Sequence, residues 1–297
     1  MTHPQGSPSS GNVCRLRRAL YGLNQAPRAW YATFSVALLE FGFTTYAYDP
    51  GLFLHHSSSR IGILLLYFDD MIITGDDASG ISDLQAYLSQ QLEMKSLGPI
   101  RYFLGLEVSD SPNGFFLSQA NYASDLLARA GLTDCQVAFT QLAYDIQLTP
   151  HDGSLLDDPT FYCQLVGSLI YLTVIRPDIA NAVHIVSQFM AALRTSHHSA
   201  VLHIFRYVNG TFMHGLHFSS HSSLTRSGYS ADWAGDPIDR RSTTSLYFFL
   251  GDPLIFWRNK KQTLVSHLSA KSKYRAPADS TSELLWFRQL FTNFGAP

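Results

Sequence analysis

The chain has 297 residues, 46% of them hydrophobic, which provides enough apolar surface for one large or two ordinary globular domains. Its 21 Lys and Arg against 23 Asp and Glu give a formal charge of −2, so it does not bind nucleic acid through a strongly basic overall charge. Its three cysteines are odd in number and widely spaced, which disfavours a disulfide framework or zinc site and favours a reducing, intracellular setting.

The amino-terminal residues are not expected to form a signal for secretion. Residues 1–12 are rich in Ser, Gly and Pro and are predicted to form a disordered leader, without the basic and apolar segments of a signal peptide. The longest nearly apolar stretch, 61–68, is about a third of the ~20 residues that cross a bilayer. We therefore expect no membrane segment and a cytoplasmic or nuclear protein.

A helix, an acidic hairpin and a second helix are predicted in the first third of the chain. Apolar residues recur at helical spacing across 28–42, where Gly42 is the expected end. The apolar runs 61–68 and 71–74 flank Asp69-Asp70 and predict two buried strands joined by a tight turn. Helical spacing then returns at Ile81, Leu84, Leu88 and Leu92.

The middle of the chain is predicted to contain a second hairpin followed by helices. A strand over 102–108 is expected to pair with 115–117 across a Ser-Pro-Asn-Gly turn. Helices are predicted over 122–130 and through most of 162–193, with a break and a new start at Arg176-Pro177-Asp178.

The last quarter of the chain has a different pattern. Strand-like segments at 227–233, 245–250, 254–257 and 263–267 precede a helix predicted over about 276–291. Strands followed by one helix indicate a separate α/β or α+β unit that starts near residue 222.

The adjacent aspartates Asp69 and Asp70 are the strongest candidate for chemistry. Two carboxylates beside apolar strands repel each other unless a cation is present, and Mg²⁺ prefers carboxylate oxygens. Paired metal ions stabilise the attacking and leaving oxygens of phosphoryl transfer, which is the chemistry of a polymerase. The alternative is a solvated acidic turn without a ligand, because such turns are common in hairpins.

Four long segments follow one another along the chain: 16–31 (LRRALYGLNQAPRAWY), 64–75 (LLLYFDDMIITG), 94–99 (MKSLGP) and 102–108 (YFLGLEV). In this order they resemble the reverse transcriptase of copia-type retrotransposon Pol polyproteins. The resemblance implies an α+β fold with a partial palm that includes a primer-grip hairpin over 13–120 and a helical thumb and connection over 121–221. It also implies an incomplete ribonuclease H-like α/β domain over 222–297.

The resemblance also implies roles for individual residues. Asp69 and Asp70 match the catalytic, metal-binding pair, with Mg²⁺ or Mn²⁺ as cofactor, and Tyr67 would lie near the incoming nucleotide. Further matches fall on the nucleotide and template side and on the primer grip: Gln25, Arg28, Lys95, Phe103, Leu104 and Gly105. The implied partners are an RNA template, a DNA primer and deoxynucleoside triphosphates.

Simpler roles stay open for several of these residues. Tyr67 and Phe103 suit a core, and Arg28 and Lys95 suit a solvated surface. A basic patch near the amino-terminal end suits phosphate contact or mere exposure; it comprises Arg15, Arg17, Arg18 and Arg28. The neighbouring histidines His197 and His198 are interpreted as surface residues rather than metal ligands.

The ribonuclease H resemblance rests on 228–235, 240–244 and 257–262, and it carries departures at the acidic positions. Where the family reads Tyr-Ser-Asp-Ala-Asp-Trp, this chain is one residue shorter, which leaves Asp232 as the candidate catalytic acid. Where the family reads Ala-Glu-Ala-Glu-Tyr, residues 270–274 carry Lys271 and Lys273. An ammonium repels Mg²⁺, so this activity is expected to be lost.

Two functional hypotheses follow from the sequence. The first is an RNA-directed DNA polymerase fragment with a degenerate ribonuclease H. The second is a catalytically inactive transposon relic that at most binds nucleic acid, because the family's upstream metal-binding aspartate is expected to fall before residue 1.

Overall fold

The computed structural model describes residues 22–57, 60–68, 70–92, 94–144, 146, 148–156, 158–190, 193–220, 225–231, 239–265 and 269–295. The chain divides into two compact units. The first unit runs to Gly98 and includes the residues from Gln289 onward, and the second unit is Pro99–Arg288. The described residues mix helices and strands, in agreement with the predicted α+β class.

The first unit contains a four-stranded antiparallel sheet and two helices. Its strands follow one another in the sheet in the order β1, β2, β3, β4. The elements in chain order are α1 (Ala26–Glu40), β1 (Thr44–Tyr46), β2 (Asp49–His56), β3 (Ile61–Tyr67), β4 (Asp70–Gly75) and α2 (Ala78–Leu92).

Both faces of this sheet are apolar. Leu64 of β3 packs in one buried cluster with residues of the two helices: Phe34, Leu38, Leu84 and Leu88. The opposite face forms a smaller cluster around Leu52 and Leu54, which Leu290 and Phe294 contact. The apolar spacing of α1 and α2 thus reflects burial against one face of the sheet, which confirms both predicted helices.

The second unit contains two sheets and the remaining helices. One sheet has the strand order β5-β6-β7-β8 and the other β11-β10-β9. The strands are β5 (Tyr102–Phe103), β6 (Leu106–Ser111), β7 (Gly114–Ser118), β8 (Gly215–Ser219), β9 (Thr225–Ala231), β10 (Thr243–Leu250) and β11 (Leu254–Lys261). The helices are α3 (Ala120–Arg129), α4 (Pro159–Leu172), α5 (Pro177–Ser187), α6 (Thr195–Thr211) and α7 (Ser269–Asn293), whose last turn belongs to the first unit.

Four of these helices share one core. The buried side chains of α3, α4, α5 and α6 form a single apolar cluster that includes Leu126, Leu169, Val183, Ile204 and Phe205. Tyr162 lies in the same core, and its hydroxyl donates a hydrogen bond to Val186 O at 2.8 Å. Buried apolar area of this kind is the main favourable term in folding.

A buried arginine joins the start of α5 to the end of α6. The Arg176 side chain, 2% exposed, makes a bidentate ion pair with Asp178 through contacts of 2.9 and 2.7 Å. It also donates to the carbonyl and hydroxyl oxygens of Thr211 at 2.8 and 2.7 Å. Tyr207 donates to the same carboxylate at 3.0 Å, and its ring lies 5.9 Å from the guanidinium carbon. The charge is therefore fully paired, as burial requires.

Several predicted elements need correction. The strand predicted over 102–108 is interrupted by a turn at Leu104-Gly105, and residues 263–265 are not a strand. The strands flanking the acidic turn are less buried than predicted, since β3 buries Gly62 and Leu64 while β4, at the edge of the sheet, buries none of its residues. The strands β1, β2 and β8 and the helix α6 were not among the predicted elements.

The prediction that His197 lies at the surface is wrong. It is fully buried, and its ring stacks on Phe189 with 4.1 Å between centroids. Its Nδ1 accepts from the Arg194 N–H at 3.3 Å, so Nε2 carries the proton and donates to Thr149 O at 2.9 Å.

Across the described ranges, no helix is long and apolar enough to span a bilayer.

Candidate active site

The β3–β4 hairpin exposes its tip. β3 ends at Tyr67, β4 begins at Asp70, and these two residues are paired across the strands. Phe68 and Asp69 connect them, and Asp69 lies outside the described residues. Tyr67 is 49% exposed, Phe68 80% exposed, and Asp70 is also exposed. The Asp70 carboxylate is therefore accessible to a ligand.

Phe68 holds an uncommon backbone conformation at this tip. Its φ of +51° lies in the left-handed region, which two-residue hairpin turns of the primed types require at their first central position. A side chain there costs about 1–2 kcal/mol relative to the right-handed region. The Phe68 ring lies edge-on to Tyr67 at 4.9 Å. Backbone strain of this kind is frequent at functional sites.

The tip residues lie on the side of the sheet away from α1 and α2. Leu66 and Met71 pack into the cluster that these helices cover, whereas Leu65 contacts the cluster on the opposite face. Side chains alternate between the faces of a strand, and paired residues share a face. Tyr67 and Asp70 therefore share the face of Leu65, which α1 and α2 do not cover.

The other end of the hairpin is held by close backbone contacts. The Ile61 N–H donates to the Asp76 carboxylate at 2.6 Å. Gly75 has a φ of +149°, and a Cβ at this position would lie 2.1 Å from Ile61 O. Only glycine fits without a shift of the backbone. The hairpin is thus held at its base, while Tyr67, Phe68 and Asp70 at the other end are exposed.

Asp77 lies next to this base and plays a structural part. A hydrogen bond from the Ser79 hydroxyl, one from the Gly80 N–H and the contact with Arg60 hold the pKa of Asp77 below its ordinary value. The ion pair with Arg60 measures 2.8 Å. Asp77 is therefore ionised at neutral pH and already engaged by donors.

The donor atoms at the hairpin tip are of the type that binds a hard cation. Carboxylate oxygens are the ligands that Mg²⁺ prefers, and Asp70 offers them to solvent. Among the described residues, no group of three or more His, Cys, Asp and Glu side chains is arranged to hold a metal ion. Asp69, adjacent to Asp70, and Asp232 fall outside those residues, so the fit rests on donor chemistry.

Three predicted nucleotide or template residues of the first unit are exposed. Gln25 is the N-cap of α1, Arg28 lies in its first turn, and Lys95 follows α2. Tyr67 is exposed, so the alternative interpretation of Tyr67 as a core residue is wrong. Within the described ranges, no hydrogen bond or ion pair links Gln25, Arg28 or Lys95 to the hairpin, so these roles stay predictions.

The predicted primer-grip residues form a turn in the second unit. Phe103 ends β5, and Leu104 and Gly105 follow with φ of +49° and +75°. The Tyr171 hydroxyl donates to Leu104 O at 2.6 Å. A Cβ at Gly105 would lie 2.3 Å from that hydroxyl. Sequence reasoning did not identify Tyr171, because it lies 67 residues from its partner.

Comparisons with known proteins agree with the hairpin motif. Residues 1–143 match the family model described as reverse transcriptase (RNA-dependent DNA polymerase). The chain is 41% identical over 284 residues, 95% of its length, to the retrovirus-related Pol polyprotein from transposon RE2 of Arabidopsis thaliana. The chain belongs to the copia-type retrotransposon Pol family. No solved structure matches it significantly.

Two further relatives differ in how much of their own length this chain covers. The Pol polyprotein from transposon TNT 1-94 of Nicotiana tabacum is 33% identical over 310 residues, covering 99% of this Pol-family chain. An uncharacterized mitochondrial protein of Arabidopsis thaliana is 40% identical over 224 residues, which cover 75% of this chain and 93% of that protein. By contrast, the chain spans 20% of the RE2 polyprotein and 23% of the TNT 1-94 polyprotein.

Proposed function

We propose that this chain carries the polymerase hairpin of an RNA-directed DNA polymerase, with Asp69 and Asp70 at its centre. The observation that supports this most is the exposed Asp70 at a strained tip, on the face of the sheet away from α1 and α2, within the segment that matches the reverse transcriptase family. An acid held there can reach a nucleic acid that lies across the face.

The tip residues would act by binding and orientation. Asp69 and Asp70 would hold Mg²⁺ or Mn²⁺, which when bound stabilises the negative charge of phosphoryl transfer. Tyr67 shares the Asp70 face and would contact the sugar or base of the incoming nucleotide. Gln25, Arg28 and Lys95, exposed and two of them cationic, suit the template and the triphosphate.

The turn at Phe103, Leu104 and Gly105 would hold the primer. The hydroxyl of Tyr171 holds its backbone, and the absence of a side chain at Gly105 leaves room for that contact. A rigid turn positions a primer end more accurately than a mobile loop, and positioning supplies much of the rate in phosphoryl transfer. The proposed substrates are an RNA template, a DNA primer and deoxynucleoside triphosphates.

The proposed layout has a palm at 13–120, a helical thumb and connection at 121–221 and a ribonuclease H-like domain at 222–297. The thumb and connection are supported by the helices α3 to α6, which share one core. The ribonuclease H-like domain is supported by the three strands β9, β10 and β11, which are followed by α7. Lys271 and Lys273 are exposed on α7 and would repel a metal ion, so we infer that ribonuclease H activity is absent.

Primer extension on an RNA template with Mg²⁺ or Mn²⁺ tests the polymerase. We expect the parent chain to extend the primer and Asp70→Asn to abolish extension, because an amide neither carries the negative charge nor binds the metal as strongly. Asp83→Asn is the matched control, since Asp83 is an exposed acid on α2. No extension by the parent under any of these conditions would reject the proposal.

The second candidate is an inactive chain that at most binds nucleic acid. The exposed lysines Lys271 and Lys273, at positions where the family has glutamates, favour it for the carboxy-terminal part. It predicts no extension but binding of a labelled RNA–DNA duplex that weakens steeply with salt, as phosphate contacts do.

A further inference from the structure

The turn at Leu104-Gly105 has a backbone that its own sequence disfavours. It is the two-residue loop between β5 and β6, because Phe103 and Leu106 are paired across these strands. Leu104 has a φ of +49° and Gly105 a φ of +75°. Positive φ at both loop residues is typical of the type I′ turn, which prefers Asn-Gly or Asp-Gly. A leucine at the first position is strained, so the turn needs support from elsewhere in the fold.

A tyrosine of α4 supplies that support. The Tyr171 hydroxyl donates to Leu104 O at 2.6 Å across 67 positions of the chain. The hydroxyl can approach because Gly105 has no side chain, and a Cβ there would overlap it. Leu104 is 37% exposed and Tyr171 is 40% exposed, so the contact lies at the surface. The hydrogen bond therefore holds the shape of a turn that a partner can reach.

The position of Tyr171 is itself defined by α3. The Tyr122 ring lies edge-on to the Tyr171 ring, with 4.9 Å between centroids, an arrangement that aromatic pairs prefer. The helix α3 is also bonded to β6, since the Asn121 N–H donates to Glu107 Oε1 at 2.8 Å. The β5–β6 hairpin is thus attached to the helices at two points, Glu107 in the strand and Leu104 in the turn.

An exposed cation lies beside the same hairpin. Arg101 directly precedes β5, and its carbonyl accepts from the Val108 N–H of β6 at 2.8 Å. A guanidinium suits a phosphate group, and phosphate contacts fix the position of a nucleic acid strand on a protein. An exposed turn with a neighbouring cation is therefore suited to a nucleic acid strand.

We propose that Tyr171 is a positioning residue for the primer, because its hydroxyl holds the Leu104-Gly105 turn in the left-handed conformation that receives the primer strand. The inference rests on the primer-binding role proposed above for this turn. Tyr171 acts through the backbone of Leu104 and not on the reacting atoms. Loss of the hydroxyl lowers the fraction of molecules with a competent turn, and this fraction scales the apparent affinity for the primer.

Equilibrium binding of a fluorescent RNA–DNA duplex with a recessed DNA 3′ end tests the proposal on the full chain. We expect Tyr171→Phe to weaken binding by about fivefold, the effect of one lost hydrogen bond. Tyr162→Phe is the matched control, because it removes the same group from the same helix and loses a bond to a backbone carbonyl inside the core. Unchanged affinity in Tyr171→Phe, an equal loss in both variants, or no duplex binding by the folded parent overturns the proposal.

A second substitution separates support of the turn from direct contact with the strand. Asparagine before glycine favours the type I′ turn unaided, so Tyr171→Phe should weaken duplex binding by less than about twofold in a Leu104→Asn background. A similar loss in both backgrounds would mean that the hydroxyl contacts the strand itself. Abolition of binding by Leu104→Asn alone would mean that the leucine side chain, and not the turn conformation, decides binding. Either result overturns the proposal.

Primer extension separates the positioning role from polymerase activity. In Tyr171→Phe the KM for the primer–template should rise about fivefold while kcat stays within about twofold of the parent value. Extension with an unchanged KM, or with a loss in kcat alone, overturns the positioning role and leaves the polymerase standing. Duplex binding that depends on the Tyr171 hydroxyl, without any extension by the parent, supports the positioning role and rejects the polymerase.

Discussion

The buried ion pair of Arg176 and Asp178 is expected to dominate the response of the helical core to substitution. Arg176→Met leaves a carboxylate whose side chain is 29% exposed without its main partner, and Asp178→Leu leaves a guanidinium that is 2% exposed. Breaking a buried pair from one side costs about 3–5 kcal/mol, and the partial exposure of Asp178 favours the lower figure. We therefore expect each single substitution to lower the free energy of unfolding by about 3 kcal/mol.

The double substitution removes both charges and leaves neither unpaired. Its expected cost is below about 3 kcal/mol rather than about 6, because no charge is stranded and only the contacts with Thr211 are lost. Urea unfolding followed by the helical circular dichroism signal measures all the values. As a control, Arg60→Met breaks an ion pair of 2.8 Å, close to the 2.7 Å of the buried pair, whose arginine is 53% exposed, and it should cost less than about 1 kcal/mol. Additive losses in the double variant would refute the reasoning.

Three further predictions concern the tip, the pH response and the core. Phe68→Gly should be more stable than Phe68→Ala by about 1 kcal/mol in urea unfolding, because φ is positive at this position. This is the reverse of the usual order, and a more stable Ala variant would exclude the left-handed conformation. Burial opposes ionisation of Asp178, but the hydrogen bonds and charge of Arg176 outweigh it and hold its pKa below the ordinary value. Asp178 therefore stabilises the fold above about pH 4, and this contribution is lost as the pH falls through the lowered pKa. In a pH series, the melting temperature of Asp178→Asn should fall less on acidification than that of the parent chain. Tyr162→Phe removes the bond to Val186 O and should cost about 1 kcal/mol in urea unfolding, whereas no cost would mean that the hydroxyl contributes nothing.

The elements with strong local patterns could be predicted from the sequence. The apolar spacing of α1 and α2 arises because one side of each helix packs on the sheet, and this period is visible without knowing the sheet. The β3–β4 hairpin is likewise indicated by two apolar runs around the aspartates. The left-handed backbone of Phe68 could not be predicted, because aromatic residues rarely occupy that region.

The missed elements depend on contacts between distant residues or on misleading local residues. β2 begins with Asp49-Pro50-Gly51, which is typical of a turn, yet the strand forms by pairing with β3. The start of α6 is polar, and the burial of His197 depends on Thr149, 48 residues earlier. The helical spacing of Val201, Ile204 and Val208 was visible and could have revealed α6.

Side-by-side primer extension by three proteins tests the central claim, that Asp70 at the tip of the β3–β4 hairpin is a catalytic residue. The proteins are the parent chain and its variants Asp70→Asn and Asp83→Asn, each checked for folding by circular dichroism. Our account predicts similar extension by the parent and Asp83→Asn, and a loss of about a hundredfold or more in Asp70→Asn. Equal extension by the parent and Asp70→Asn would contradict the account.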